Sequence, residues 1–144
     1  MADWIEEQGA QLIVLAGYLE ILSAGFVDRF RNRVINIHPS LLPHFPGLNS
    51  IERAYEASVM KSGVTVHFVD EGVDTGPTIK KKRIWKRPGE NLERFEQRVH
   101  AKEYELLPKV INSIASGKIR LGAFPVEEPQ RVPIPELEKL QTYP

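Results

Sequence analysis

Residues 34–48 read VINIHPSLLPHFPGL, a β-branched strand that runs directly into a loop holding three prolines and one glycine. Side chains two apart on a strand project from the same face. Asn36 and His38 therefore share one face, and Ile35 and Ile37 take the other. Prolines restrict the backbone, so an ordered loop is expected rather than a further element. The stretch predicts a buried strand that delivers an amide and an imidazole to one place.

On either side of this stretch, apolar runs of strand length alternate with helical patterns. The predicted strands are Gln11–Ala16, 34–38, Val64–Val69 and Thr78–Trp85. The predicted helices are residues 3–9, a short helix capped by Ser23, one capped by Asn49 or Ser50 that runs to about Val59, and 91–116. Alternation of this kind predicts an α/β fold with a mostly parallel sheet and flanking helices.

Composition excludes several classes of function. The chain has 144 residues, 19 Lys and Arg against 19 Asp and Glu, and no cysteine. The length suits one domain, and the zero net charge argues against a general binder of nucleic acid or acidic membranes. Without cysteine there is no disulfide, thiolate nucleophile or Cys-type zinc site. The apolar runs are too short to span a bilayer and the acidic start is not typical of a signal peptide, so a cytoplasmic protein is expected.

Four polar residues stand where strands of the predicted sheet end. Asn36 and His38 close the second strand, His67 lies on the third, and Asp74 follows between Gly72 and Gly76. Each alone is typical of a hydrogen-bonded structural residue or a turn. Together they suit acyl transfer: the amide stabilises an oxyanion, the imidazole moves a proton near neutral pH, and the carboxylate holds the imidazolium.

A metal site and a nucleic-acid contact are two alternative interpretations of particular residues. His38, His67, Asp70 and Asp74 could bind a metal, although their spacing fits no compact ligand motif. The run Lys80–Arg87 carries six positive charges in eight residues and could contact nucleic acid. A solvated edge strand that resists aggregation is favoured, because acidic residues follow closely.

Four stretches, in this order and spacing, identify a family resemblance. They are VLAGYLEILS (14–23), VINIHPSLLPHFPGL (34–48), GVTVHFVDEGVDTGP (63–77) and RVHAKEYELLP (98–108). The chain resembles the folate-dependent formyltransferases, and most closely their branch that formylates glycinamide ribonucleotide in purine biosynthesis. The resemblance implies a Rossmann-like formyltransferase fold over residues 1–121. A proline-rich tail, residues 122–144, would follow it.

The resemblance also implies roles for individual residues. Asn36 would bind the formyl oxygen, His38 would transfer the proton, Asp74 would orient His38, and His67 would support the site. The pterin pocket for 10-formyltetrahydrofolate would comprise Tyr18, Leu19, Glu20, Ile21, Leu22, Asp70, Glu71, Gly72 and Val73. The residues expected to touch glycinamide ribonucleotide are Gly17, Pro39 and Glu103. The reaction would need no metal and no covalent enzyme intermediate.

The chain departs from the family pattern in three ways. The position of Glu20 is often basic in the family, and the strand around Lys80 is usually less charged. The family's N-terminal strands and its glycine-rich phosphate-binding turn are not found, so a natural truncation, a fragment or a late start are all open. Leu12–Ala16 would then form an open sheet edge that favours a homo-oligomer. A non-catalytic folate-binding or assembly module, and a hydrolase like formyltetrahydrofolate deformylase, are the alternative functions.

Overall fold

The computed structural model of the chain describes residues 1–18 and 20–120. Four helices and four strands occur in this part: α1 (Ala2–Glu7), β1 (Ile13–Leu15), α2 (Ala24–Arg29), β2 (Val34–His38), α3 (Ser50–Glu56), β3 (Lys61–Phe68), β4 (Thr78–Trp85) and α4 (Leu92–Ala115). The predicted α/β fold class is confirmed. Leu19 and the predicted proline-rich tail, residues 122–144, lie outside the described residues.

The four strands form one sheet in the order β1-β2-β3-β4. β1 and β2 are parallel, whereas β2 with β3 and β3 with β4 are antiparallel. The sheet is therefore mixed, which corrects the expectation of a mostly parallel one. A parallel neighbour needs a crossover of about a dozen residues or more, usually a helix. The segment 69–77 between β3 and β4 contains no helix, so these strands form a hairpin.

One face of the sheet is apolar and packs against α4. In the β2–β3 register, Ile35 lies opposite Phe68 and Ile37 opposite Val66, so these four side chains share a face. The helix contributes a buried stripe made of Phe95, Val99, Leu106 and Val110. Burial of one such side chain is worth about 1.5–3 kcal/mol. This core leaves the opposite face of β2 and β3 for polar groups.

β1 is shorter than predicted and lies at one end of the sheet. Its three residues are only half-buried, whereas the apolar run predicted a longer strand, Gln11–Ala16. Within the described part of the chain it pairs with β2 alone. Ile13 and Leu15 pack beside a second apolar cluster formed by Phe26, Phe30 and Val34. The predicted sheet edge is confirmed, over three residues.

The start of α2 follows the sequence signals, whereas α3 differs from them at both ends. Ser23 caps α2 by accepting the backbone N–H of Phe26, as predicted. Asn49 precedes α3 in a left-handed conformation, with φ of 54°, and its side chain makes no capping bond. That helix ends at Glu56 rather than near Val59. The ammonium group of Lys86 lies 2.6–3.2 Å from three carbonyl oxygens at this end, which stabilises the early stop.

Among the described residues, β4 forms the other end of the sheet, which confirms the edge strand predicted from its charges. Lys81 donates to the carbonyl of Leu42 in the proline-rich loop. Part of the basic run therefore binds backbone carbonyls of this chain. No helix in the described ranges is long and apolar enough to cross a membrane.

Candidate functional site

The polar face of the sheet brings the predicted site residues of two strands side by side. Asn36 lies opposite His67, and His38 lies opposite Thr65. His38 is 5% exposed and His67 is 2% exposed, so both imidazoles are almost fully removed from solvent. Buried polar groups need partners. The loops on either side of the strands supply them.

Asp74 reaches this face from the loop between β3 and β4. Its backbone is left-handed, with φ of 55°. One carboxylate oxygen, Oδ2, lies 3.4 Å from Nδ1 of His38 and accepts the backbone N–H of Gly47 at 2.8 Å. The other, Oδ1, lies 3.5 Å from Nε2 of His67. A single carboxylate therefore lies between two imidazoles.

The surroundings of Asp74 favour its charged form. Burial opposes ionisation, but the contact with His67, the N–H of Gly47 and the positive charge available on His38 outweigh it. The pKa of Asp74 consequently lies below its ordinary value. The carboxylate is ionised at neutral pH, and it favours a proton on a neighbouring imidazole.

Each imidazole uses its second nitrogen on a backbone carbonyl. Nε2 of His38 lies 2.8 Å from the carbonyl oxygen of Phe45, and Nδ1 of His67 lies 2.8 Å from that of Phe68. A carbonyl oxygen only accepts hydrogen bonds, so these two nitrogens carry the hydrogen. The remaining nitrogens, Nδ1 of His38 and Nε2 of His67, are the ones directed towards Asp74.

A buried hydroxyl network supports the loop that carries the Phe45 carbonyl. Thr65 donates to the carbonyl of Ser40 at 2.7 Å and accepts the N–H of Leu42 at 3.1 Å. Ser40 in turn donates to the carbonyl of His44 at 2.6 Å and is 3.3 Å from that of Phe45. The loop is thus tied to β3 at Thr65, the residue paired with His38.

Sequence reasoning did not identify these supporting groups. Most of them are backbone atoms, the carbonyls of Phe45 and Phe68 and the N–H of Gly47, which no side-chain pattern reveals. Ser40 and Thr65 could have been noticed as polar residues beside the two histidines. The three prolines of the loop indicated in the sequence that its backbone is restricted.

The residues predicted to contact the pterin lie in two separate loops. The Tyr18 hydroxyl is 3.3 Å from a carboxylate oxygen of Glu20, and both side chains are exposed. In the other loop, Asp70 accepts the N–H of Gly72 and the hydroxyl of Thr75. Leu22 packs beside the second apolar cluster, whereas Ile21 and Val73 are exposed. Leu19 is outside the described residues.

A cavity of about 370 Å³ lies beside the second of these loops, lined by residues of the α2 end and by Asp70, Glu71 and Gly72. Glu71 forms a long ion pair with Arg31, at 3.7 Å. The residues predicted to contact glycinamide ribonucleotide are spread more widely. Gly17 has a positive φ of 69°, Pro39 directly follows His38, and Glu103 lies 3.0 Å from Nδ1 of His100 on α4.

The alternative of a metal site finds no support in the geometry of the described residues. Within residues 1–18 and 20–120, no group of three or more His, Asp or Glu side chains is arranged to hold a metal ion. Asp70 binds its own loop instead of the two histidines.

The chain is similar to proteins of one family over most of its length. The model of the formyl transferase family matches residues 1–111. A phosphoribosylglycinamide formyltransferase of Haemophilus influenzae is 41% identical over 121 residues, which cover 84% of this chain and 57% of that protein. The chain therefore spans little more than half the length of this relative.

Solved structures share the fold. The crystal structure of phosphoribosylglycinamide formyltransferase from Anaplasma phagocytophilum superimposes with a TM-score of 0.80 at 39% identity, over 83% of this chain and 58% of that one. A formyltetrahydrofolate deformylase from Pseudomonas syringae superimposes with a TM-score of 0.77 at 26% identity, over 83% of this chain and 40% of that one. The identity is higher with the transferase.

Proposed function

Because the chain belongs to the formyl transferase family, we propose that it carries the catalytic and folate-binding part of an enzyme of purine biosynthesis. This enzyme moves the formyl group of 10-formyltetrahydrofolate to the amine of glycinamide ribonucleotide. The relatives with 41% and 39% identity carry the name of that activity. One observation carries the proposal: an amide, two imidazoles and an ionised carboxylate meet on the polar face of β2 and β3.

The folate co-substrate supplies an activated formyl carbon, and the residues of the chain supply the rest. Asn36 has an amide N–H that can stabilise negative charge on the formyl oxygen. His38, next to the ionised Asp74, is suited to hold a proton near neutral pH and to transfer it during the exchange of amines. The site is largely buried, which strengthens these electrostatic interactions. These side chains suit direct transfer of the formyl group from one substrate to the other.

The proposed substrate contacts lie in the loops around the two histidines and on α4. The pterin ring would lie between the loop 18–22 and the loop 70–73, where main-chain groups would provide hydrogen bonds. Gly17, Pro39 and Glu103 would contact the ribonucleotide. Direct attack by the amine of the second substrate requires neither a metal nor a covalent enzyme intermediate.

The proposed partners are small molecules, in a cytoplasmic setting, without nucleic acid or membrane. A homo-oligomer formed through the edge strand β1 is also proposed. Its support is the position of this apolar strand at one end of the sheet. An unpaired apolar edge favours pairing with another strand.

Substrate dependence tests the proposal directly. The purified chain is incubated with 10-formyltetrahydrofolate, with and without glycinamide ribonucleotide, while folate absorbance is followed. Turnover that requires the ribonucleotide supports the transferase. Turnover with water alone would indicate a deformylase-like hydrolase, and binding of folate without turnover would indicate a non-catalytic module.

A further inference from the structure

We propose that His67 is a positioning residue: it is held as a neutral imidazole protonated on Nδ1, and its Nε2 accepts an N–H of Asn36. The hydrogen bond would fix the orientation of the Asn36 amide. The resemblance assigned His67 only general support of the site. The consequence for catalysis rests on the proposed function, whereas the tautomer and the hydrogen bond do not.

Nδ1 of His67 is bound to a backbone carbonyl. This nitrogen lies 2.8 Å from the carbonyl of Phe68, the last residue of β3, and must donate to it. The backbone of Phe68 is held in place on two sides. The N–H of Phe68 donates to the carbonyl of Pro77 at 2.8 Å. Gly76 packs so closely that a Cβ there would lie 1.7 Å from the Phe68 oxygen.

Nε2 of His67 has two polar neighbours. The Asn36 amide nitrogen lies at 3.4 Å and Oδ1 of Asp74 at 3.5 Å. The amide can donate to a neutral Nε2, whereas the carboxylate needs a protonated one. His67 also faces Thr78 across the β3–β4 pairing, which adds no charge. The charge state is therefore decided within the group of His38, His67 and Asp74.

One further proton can lie on Nδ1 of His38 or on Nε2 of His67, the two nitrogens that face Asp74. The hydrogen of His38 on Nε2 is bound to Phe45, so its Nδ1 must be protonated as well to donate to Asp74. With the proton on His38, Oδ2 of Asp74 accepts from His38 and Gly47, and Asn36 has an acceptor, while Oδ1 faces the unprotonated Nε2 of His67 at 3.5 Å without a hydrogen bond. With the proton on His67, Nδ1 of His38 would present a lone pair to the carboxylate, and Asn36 would lose its acceptor. The first arrangement satisfies more of the buried groups.

The orientation of Asn36 matters because its amide has two chemically different ends. The oxygen and nitrogen occupy similar volumes, so packing alone does not distinguish them. An acceptor on His67 selects the nitrogen for that side. One N–H is then used on His67, and the second remains for a bound ligand. An Asn36 amide free to turn would present its oxygen for part of the time and stabilise an oxyanion less well.

Imidazole nitrogen NMR on the full 144-residue chain tests the tautomer without any substrate. The chain has four histidines, and His67→Gln identifies the signals of His67 by their loss. At neutral pH we expect Nδ1 of His67 to resonate as a protonated nitrogen and Nε2 as an unprotonated one. Protonation of Nε2, with or without Nδ1, would overturn the proposal.

Two variants of Asn36 test the hydrogen bond by the same spectra. Asn36→Ala should leave the tautomer of His67 unchanged and shift Nε2 towards a free lone pair. Asn36→Asp replaces the donor with a carboxylate, so Nε2 should become protonated at the same pH. If Nε2 does not respond to either substitution, Asn36 is not its partner.

Kinetics then test the consequence for catalysis. His67→Leu removes the acceptor and should lower kcat by ~10-fold or more, with a smaller change in KM for the folate, since loss of an oxyanion donor lowers kcat by ~10²–10³. His67→Gln, which restores an acceptor oxygen, should recover part of kcat. Equal losses in both variants would contradict the positioning role. An inactive wild-type chain with the expected spectra would instead count against the proposed function alone.

Discussion

Nδ1 of His38 lies 3.4 Å from Oδ2 of Asp74, although His38 ends β2 and Asp74 lies in the loop between β3 and β4. The other nitrogen of the imidazole is bound to the carbonyl of Phe45. His38 can therefore satisfy both neighbours only when it is protonated. A proton held between this imidazole and the carboxylate lies where a proton-transferring residue needs it.

Loss of either member of this pair should remove most of the formyl transfer. We expect His38→Ala and Asp74→Asn each to lower kcat by ~10²–10⁴, the usual contribution of a positioned acid or base. The measurement is initial velocity with both substrates saturating. His44→Ala is the matched control, because this histidine is in the same loop but exposed, and it should retain wild-type turnover. A His38→Ala protein with near wild-type kcat would refute the assignment.

The same carboxylate should make the fold sensitive to acid. The folded-state pKa of Asp74 is lowered, so its ionised form stabilises the fold above the ordinary carboxyl pKa of about 4. That contribution is lost as the pH falls through the lowered value. Urea unfolding of wild type and Asp74→Asn should therefore differ most at pH 6–7 and converge in strong acid. A difference that is independent of pH would show that the charge is not responsible.

The sequence predicted the contents of the site better than its support. Alternation along β2 placed Asn36 and His38 on one face, and the structure brings Asp74 to His38 from a distant loop. The sequence did not predict the antiparallel direction of β3 and β4, because a buried strand has a similar apolar pattern in parallel and antiparallel sheets. The hairpin could have been inferred from the short link 69–77, which has no helix.

The remaining differences have local physical causes. α3 ends early because the Lys86 ammonium group binds its last carbonyls, a contact between residues far apart in sequence. The tautomers of His38 and His67 depend on backbone carbonyls, which sequence patterns do not show. The apolar run around β1 resembles an interior strand, since periodicity reports apolar faces and not the number of neighbouring strands.

Gly76 should be essential for the shape of the loop that carries Asp74. A Cβ at this position would lie 1.7 Å from the Phe68 oxygen and 3.2 Å from the backbone nitrogen of Asp70, so the backbone would have to move. Gly76→Ala should lower the free energy of unfolding by roughly 1–3 kcal/mol and reduce kcat. Gly25→Ala is the control, because α2 has open space there and alanine favours a helix by up to ~1 kcal/mol. Urea unfolding compares them, and equal stability of the two variants would contradict the close approach.

Lys86 should stabilise the end of α3 rather than bind a ligand. Its ammonium group donates to the carbonyls of Ala54, Tyr55 and Ala57. Lys86→Met keeps most of the length of the side chain and removes the charged group, which should cost about 1–3 kcal/mol. Lys118→Met, at an exposed position, should change the unfolding free energy by less than ~0.5 kcal/mol. Thermal unfolding of both variants against wild type is the measurement, and a neutral Lys86→Met would show that water replaces the ammonium group.

The edge strand β1 should mediate self-association of this chain. Ile13 donates its N–H to Arg33 at 2.8 Å on the side of β2. Because N–H groups alternate in direction along a strand, that of Val14 is directed to the other side, where residues 1–18 and 20–120 place no strand. A second copy that pairs there would use this donor. We therefore expect the apparent mass in light scattering to rise with concentration, and Val14→Pro, which removes the donor, to abolish the rise.

Two measurements keep this last prediction independent of folding. The circular dichroism spectrum of Val14→Pro at low concentration should match that of wild type, because proline is tolerated on an edge strand whose N–H faces outwards. Glu7→Pro is unsuitable as a control since it would interrupt α1, whereas Gln11→Pro changes an exposed residue just before β1 and should leave association intact. A wild-type chain that stays monomeric at high concentration would contradict pairing through β1. Association that survives in a folded Val14→Pro would place the interface on another surface.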